Sequence, residues 1–235
     1  MRYWSQLSPR TQTWLLLCPF LVVWLAGFLF QKRPPQSEVA LWVLDEIAFS
    51  VARPLVTFFL ISRGNLLTKN WREMLLPRDI SIGMATGDIL SVSFVMVLLS
   101  VVFWWGLFIC FWPLDQMIKD YLGAFSPFMW PQPHKAIWLI DVIVLGPLLE
   151  ELIFRGVMRD LLRAQSTPKL QDRKEWRYTI GASFLFGACH IEQGVTTALT
   201  TFIMGMIGCR MYIRYGYLLP VMAGHVAINA ISLGS

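Results

Sequence analysis

The sequence predicts an all-α fold: a bundle of about seven transmembrane helices forming one integral membrane domain over residues 1–235. Hydrophobic residues make up 56% of the chain and charged residues only 15%, whereas a soluble domain averages about 25% charged residues. The mean hydropathy is +0.55. The apolar residues are also gathered into runs close to the roughly 20 residues that a helix needs to cross a bilayer. These observations exclude a large soluble domain.

Seven apolar segments are candidate spans. They lie at about residues 14–30, 39–62, 83–112, 136–162, 178–191, 195–213 and 218–233. The second is the weakest, because it carries Asp45, Glu46 and Arg53. The fifth is too short alone, so its helix is expected to begin within the preceding charged loop. The first is long for the apolar region of a signal peptide and is therefore interpreted as a retained span.

The distribution of basic residues orients this arrangement. Most Lys and Arg side chains fall in the connections on the side of the N-terminus, and the opposite side holds few. The positive-inside rule therefore places the N-terminus in the cytoplasm. The same topology explains the net charge of +5 without a nucleic-acid partner. The connection from Trp112 to Lys135 is rich in aromatic residues and proline, which predicts a segment at the membrane interface.

The four cysteines indicate neither a disulfide framework nor a thiolate metal site. Cys18, Cys110, Cys189 and Cys209 all fall in apolar segments, and none has the C-x-x-C spacing. They are better interpreted as small buried hydrophobic residues.

Two adjacent glutamates, Glu150 and Glu151, lie deep within the apolar segment 136–162, and Arg155 follows them. Ionisable residues inside membrane spans are costly and are by default candidates for function. Residues four apart share a helix face, so Glu151 and Arg155 are predicted to pair. Consecutive residues point about 100° apart, which directs Glu150 elsewhere as a candidate general base. A buried salt bridge that only locks packing explains Glu151 and Arg155 but leaves Glu150 unused.

Each of two later apolar segments carries a histidine. His190 follows Phe186 by one helical turn, so the phenyl ring could shield the imidazole from lipid. His225 and Asn229 also share a helix face, and both can donate hydrogen bonds to the oxyanion of a tetrahedral intermediate. Taken singly, these residues are as readily explained by packing or by hydrogen bonds between membrane helices. Their occurrence in consecutive spans after the glutamate pair favours a shared site.

A metal site is the alternative for the same residues. Glu150, His190 and His225 would supply one carboxylate and two imidazoles, a ligand set that hydrolytic zinc uses. The H-E-x-x-H spacing is absent, however. The sequence leaves open whether water is bound by a metal ion or held by Glu150 and His190 alone.

Together these residues resemble a known signature. The chain reads Glu-Glu-x-x-x-Arg at 150–155, Phe-x-x-x-His at 186–190 and His-x-x-x-Asn at 225–229. The three patterns, in this order and in separate apolar segments, resemble the CAAX prenyl protease and bacteriocin-processing (CPBP, or Abi) family of intramembrane glutamate-dependent proteases. The resemblance covers a core of about residues 136–233.

The resemblance implies an intramembrane endopeptidase that hydrolyses a peptide bond by attack of water, without a covalent acyl-enzyme. In that interpretation Glu150 activates water with help from His190, and His225 and Asn229 stabilise the oxyanion. The supporting residues are then Glu151, Arg155 and Phe186. No cofactor is expected, the alternative being a divalent metal such as zinc.

The expected partners are the lipid bilayer and a membrane-embedded or lipid-associated protein substrate, with no nucleic acid. A bacterial cytoplasmic (inner) membrane is the expected location of this multi-pass protein. The alternative function is non-enzymatic: a bacteriocin immunity factor or a transporter that uses the polar cluster for packing or ion passage. A transporter is disfavoured, because the sequence shows no inverted repeat with paired broken helices.

Overall fold

The computed structural model describes residues 7, 11, 71–122, 139–159 and 171–234, and the structural statements below concern these residues. All their regular structure is helical, which confirms the all-α class. The predicted spans at 14–30 and 39–62 lie outside the described residues.

Six helices form the described part of the chain. In chain order they are α1, Trp71–Leu75; α2, Ile82–Leu122; α3, residues 139–159, with the α-helical centre Gly146–Glu151; α4, Gln171–Ala188; α5, Val195–Tyr215; and α6, Leu219–Gly234. A short 3₁₀ turn, Ile191–Gln193, joins α4 to α5.

Five of the predicted spans fall on these helices. The segments 83–112, 136–162, 178–191, 195–213 and 218–233 correspond to α2, α3, α4, α5 and α6. As expected, α4 begins in the charged stretch before its apolar part, at Gln171. By length and composition, one helix in the described ranges is able to cross a membrane, namely α2 over Ile82–Met117, while Leu219–Ser232 in α6 is a shorter apolar helix. Seven spans and a cytoplasmic N-terminus stay predictions.

Helix α2 is longer than the sequence predicts. It continues through Pro113 to Leu122, so its last turns occupy part of the stretch expected to be an interfacial connection. Its 41 residues correspond to a length of about 60 Å, roughly twice the thickness of a bilayer core. Only 6% of its most apolar window is buried. Large side chains such as Phe94, Trp105 and Ile109 therefore point away from the rest of the protein.

The core is centred on the second half of α3, where residues 151–159 are all buried. One group of core side chains joins this half to α2, α5 and α6 through Val157, Met96, Met204 and Val221. A second group joins it to α4 and α5 around Phe154. The second half of α3 is thus enclosed by its neighbours, and the glutamate pair lies where this half begins.

A buried carboxylate from α2 caps the start of α5. Asp115 is 3% exposed, and its Oδ1 accepts a hydrogen bond from the backbone N–H of Thr196 at 3.0 Å. Gly194, just before α5, has φ of +110°, and a Cβ at this position would lie 2.8 Å from Asp115 Oδ1. The approach of Asp115 thus requires glycine for two reasons, the left-handed backbone and the lack of a side chain.

A second contact from α2 fixes the turn between α5 and α6. The Tyr217 hydroxyl donates to Asp88 Oδ2 at 2.5 Å. Burial and this carboxylate raise the pKa of Tyr217 above its ordinary value, so the hydroxyl stays protonated as a donor. Beside it, the Leu218 N–H donates to the Met74 carbonyl at 2.8 Å, which ties α1 to the start of α6.

Gly194→Ala is expected to lower the free energy of unfolding by about 2 kcal/mol or more, because strained backbone and a clash with Asp115 add. Gly216→Ala is the matched control. Gly216 also has positive φ, +82°, but its Cβ would meet open space, so about 1 kcal/mol is expected. Thermal unfolding of the purified protein in detergent measures both. Equal losses would contradict the proposed role of Asp115.

Candidate active site

The glutamate pair lies between two π-helical segments of α3. Asp141–Leu145 and Leu152–Val157 are π-helical, and the α-helical Gly146–Glu151 separates them. Pro147 gives a local reason for the first segment, because in a regular α-helix its ring clashes with the carbonyl four residues back. Segments of π-helix are rare in proteins, but those that occur are often found at functional sites. The irregularity therefore marks this part of α3 independently of its charges.

Glu151 is fully buried and is paired with two side chains, an arginine and a histidine. Its Oε1 lies 3.1 Å from Arg155 Nη1, and both side chains are almost completely enclosed. The same oxygen lies 2.9 Å from His225 Nδ1 on α6. The predicted pairing of Glu151 with Arg155 is thus present, with an imidazole added to it. A buried carboxylate needs such partners, since an unpaired charge in this environment is strongly disfavoured.

Arg155 reaches Glu151 through a narrow space between α4 and α5. Its guanidinium carbon lies 4.4 Å from the centre of the Phe186 ring, which gives a cation–π contact. On the other side is Gly208, where a Cβ would lie 3.4 Å from both Nε and Nη2 of Arg155. A small residue at 208 and an aromatic ring at 186 therefore shape the slot for the guanidinium.

Glu150 occupies a different environment from its neighbour. Its side chain is 17% exposed, whereas that of Glu151 is 0% exposed. Glu150 Oε2 lies 3.8 Å from His225 Nε2. Each ring nitrogen of His225 thus faces a different glutamate. Nδ1 contacts the buried Glu151, and Nε2 approaches the more exposed Glu150. The sequence interpretation gives His225 an oxyanion role, with metal binding as the alternative, and does not foresee its contacts with the two glutamates.

Phe186 brings the two histidines into one cluster. Its ring centre lies 4.9 Å from that of His190 and 5.7 Å from that of His225, both in edge-to-face geometry. His190 is half-buried, and its Nδ1 lies 2.7 Å from the Phe186 carbonyl oxygen. Phe186 therefore contacts His190, as its spacing of one helical turn predicts, and the same ring also contacts His225.

Asn229 lies one turn beyond His225 and contacts α3 rather than the carboxylates. Its Nδ2 donates to the backbone carbonyl of Val142 at 2.8 Å. The acceptor belongs to the first π-helical segment. The amide nitrogen carries two hydrogens, so this bond leaves one N–H for another acceptor.

Sequence reasoning missed Tyr178, which supports the second π-helical segment. Its hydroxyl lies 3.0 Å from the Phe154 carbonyl oxygen and 3.2 Å from that of Arg155. A single tyrosine in a half-apolar helix gives no sequence pattern from which this contact could be predicted. A second missed contact is the buried ion pair between Arg159 and Glu175, 3.2 Å long, which joins α3 to α4.

A metal bound by Glu150, His190 and His225 stays a prediction. No group of three His, Cys, Asp or Glu side chains in the described ranges is arranged to hold a metal ion.

Comparison with known proteins covers mainly the second half of the chain. Residues 132–231 match the family described as type II CAAX prenyl endopeptidase, Rce1-like. The match includes all three motifs and confirms the resemblance that they suggest. An uncharacterized 24.3 kDa protein of Escherichia coli is 29% identical to this chain; the alignment covers 52% of this chain and 62% of that relative. The chain thus spans less than two thirds of the relative's length. No solved structure matches it.

Arg155→Met is expected to lower the free energy of unfolding by about 3–5 kcal/mol, because it leaves the Glu151 carboxylate buried without its guanidinium. Adding Glu151→Gln should recover most of that loss, since the amide is neutral and still accepts from His225. Denaturant unfolding of the two variants measures the difference. A double variant no more stable than Arg155→Met would show that the charge of Glu151 is not what Arg155 stabilises.

Proposed function

We propose that this chain, whose residues 132–231 match the Rce1-like type II CAAX prenyl endopeptidase family, is an intramembrane endopeptidase with Glu150 as its general base. The observation that carries the proposal is the unequal environment of the two glutamates. Glu151 is sealed and paired, while Glu150 lies at the accessible edge of the same cluster, facing an imidazole. Packing alone requires only the sealed pair.

The first step is activation of a water molecule between Glu150 and His225. Their facing atoms are 3.8 Å apart, too far for a direct hydrogen bond. A water molecule placed to one side can bond both atoms. Glu150 takes a proton from this water molecule while the water oxygen attacks the carbonyl carbon of the scissile peptide bond. The protonated Glu150 then gives the proton to the departing amine, so no covalent acyl-enzyme forms.

Glu151 and Arg155 act on this chemistry through His225. When Nδ1 of His225 donates to Glu151, the ring orientation is fixed and Nε2 is directed toward Glu150. In this form Nε2 accepts a hydrogen bond from the water. When Nε2 also carries a proton, it can donate to the oxyanion of the tetrahedral intermediate.

His190 and Asn229 complete the proposed site. His190 is assigned the assisting role that the family resemblance implies, and its shared packing on Phe186 with His225 supports that assignment. Asn229 has one amide N–H engaged with Val142, and the second is able to reach an oxyanion beside His225.

The surroundings of the site support a proposed substrate class. Glu150 is flanked by apolar turns of α3, and α2 exposes a long apolar surface, so the substrate is proposed to be a membrane-embedded or lipid-associated protein. A prenylated CAAX tail is the form suggested by the family description. We further propose a multi-pass protein of the bacterial inner membrane, with no nucleic-acid partner.

Glu150→Gln is expected to reduce cleavage by about 100-fold or more, because it keeps the size of the side chain and removes the base. Cleavage of a farnesylated CAAX-tailed peptide by the purified protein in proteoliposomes measures the effect. Membrane proteomes of cells carrying either form show whether precursors accumulate. Glu175→Gln is the matched control: that carboxylate pairs with Arg159, away from the cluster. Full cleavage by Glu150→Gln would overturn Glu150 as the base, whereas no cleavage by either form would favour the non-enzymatic alternative.

Chelation should leave activity unchanged, because the proposed mechanism requires no metal. Incubating the reconstituted protein with EDTA or 1,10-phenanthroline, followed by the same peptide assay, tests this. Loss of cleavage that zinc restores would support Glu150, His190 and His225 as metal ligands instead.

A further inference from the structure

We propose that Asn229 and Tyr178 are positioning residues that hold the two π-helical segments of α3, and so determine which glutamate faces the reacting water. This inference deepens the proposed function and rests on it for its catalytic consequence. The structural part stands separately, because it concerns backbone groups of α3.

The first segment has a carbonyl that the main chain cannot satisfy in π-helical register. In that register each carbonyl accepts from the N–H five residues ahead, and for Val142 this position is Pro147, which has no N–H. The Val142 carbonyl instead accepts from Asn229 Nδ2 at 2.8 Å. A partly buried carbonyl left without a donor costs stability, so Asn229 stabilises the π-helical register at this point.

The second segment receives a side-chain donor of its own. The Tyr178 hydroxyl, on α4, lies within 3.2 Å of the Phe154 and Arg155 carbonyl oxygens. Both carbonyls belong to Leu152–Val157. Tyr178 is only 2% exposed, so water does not replace this bond if the hydroxyl is removed. Side-chain donors from two different helices thus bond the backbone before and after the glutamate pair.

The two donors matter because the helical register of α3 determines the direction in which the glutamate side chains point. A change of one residue between π and α register turns the residues before the segment by about 100° around the helix axis relative to the residues after it. That is the same angle that separates Glu150 from Glu151. Loss of either donor therefore favours a register in which Glu150 no longer faces His225 Nε2.

A rescue experiment tests Asn229. Asn229→Ala is expected to lower kcat about ten-fold on the farnesylated CAAX-tailed peptide, with KM within about two-fold of its original value. Pro147→Ala supplies an N–H that can reach the Val142 carbonyl. In the Pro147→Ala background, the same Asn229→Ala change should therefore cost measurably less in kcat than in the original chain, the remaining loss being that of the oxyanion donor. If Asn229 acts only as an oxyanion donor, Pro147→Ala gives no rescue, and the inference is overturned.

Tyr178→Phe is the matched control for that rescue. It removes only the hydroxyl, and kcat should fall without a change in KM. Pro147→Ala should not restore it, because Tyr178 serves the other π-helical segment. Rescue of both variants by Pro147→Ala would show a general effect on stability, which also contradicts the inference.

Unfolding temperatures separate this inference from the proposed function. Asn229→Ala should lower Tm more in the protein that retains Pro147 than in the Pro147→Ala variant, whether or not the peptide is cleaved. Equal decreases overturn the inference, even for an active enzyme. If Asn229→Ala alone cannot be recovered folded, recovery of the double variant counts as the rescue, and failure of both counts against it.

Discussion

The structure depends on keeping one carboxylate charged inside an apolar core. Glu151 is 0% exposed, and a single carboxylate oxygen forms an ion pair with Arg155 and a hydrogen bond with His225. The free-energy cost of desolvating such a charge is larger than the stabilisation that one weak contact provides. Partners from two helices are therefore needed. This requirement fixes α6 against α3 and gives the buried ion pair a role in orienting His225. Stability and the geometry of the proposed site thus have the same origin.

The need to enclose Arg155 explains several neutral residues around it. Gly208 allows α5 to approach the guanidinium, and Phe186 covers its face. The same phenyl ring contacts both histidines. A single aromatic residue therefore links the buried charge pair to the polar groups proposed to act on substrate. Enlarging or removing these residues would disturb the site without touching any ionisable group.

The sequence predicts the local parts of this arrangement better than the distant ones. The contact of Glu151 with Arg155 and the different direction of Glu150 follow from helical spacing alone, and so does the packing of Phe186 on His190. The contact of His225 with both glutamates depends on how helices far apart in the chain pack, which spacing does not encode. The sequence predicts an apolar span that ends near residue 112, whereas α2 continues through Pro113 to Leu122, because this proline is tolerated within the helix. The cap that Asp115 provides for α5 likewise joins residues too distant for a sequence pattern.

The π-helical segments lie between these two cases. Pro147 is visible in the sequence, but a proline in a helix can produce a kink, an end or a change of register. Which of these occurs depends on whether the freed carbonyl finds a donor, and here the donor is Asn229, on another helix. The backbone around the glutamates is therefore set by side chains outside α3. Two adjacent carboxylates on a regular helix would differ only in direction. Here the register of α3, held from α4 and α6, leaves one of them sealed and the other accessible to water.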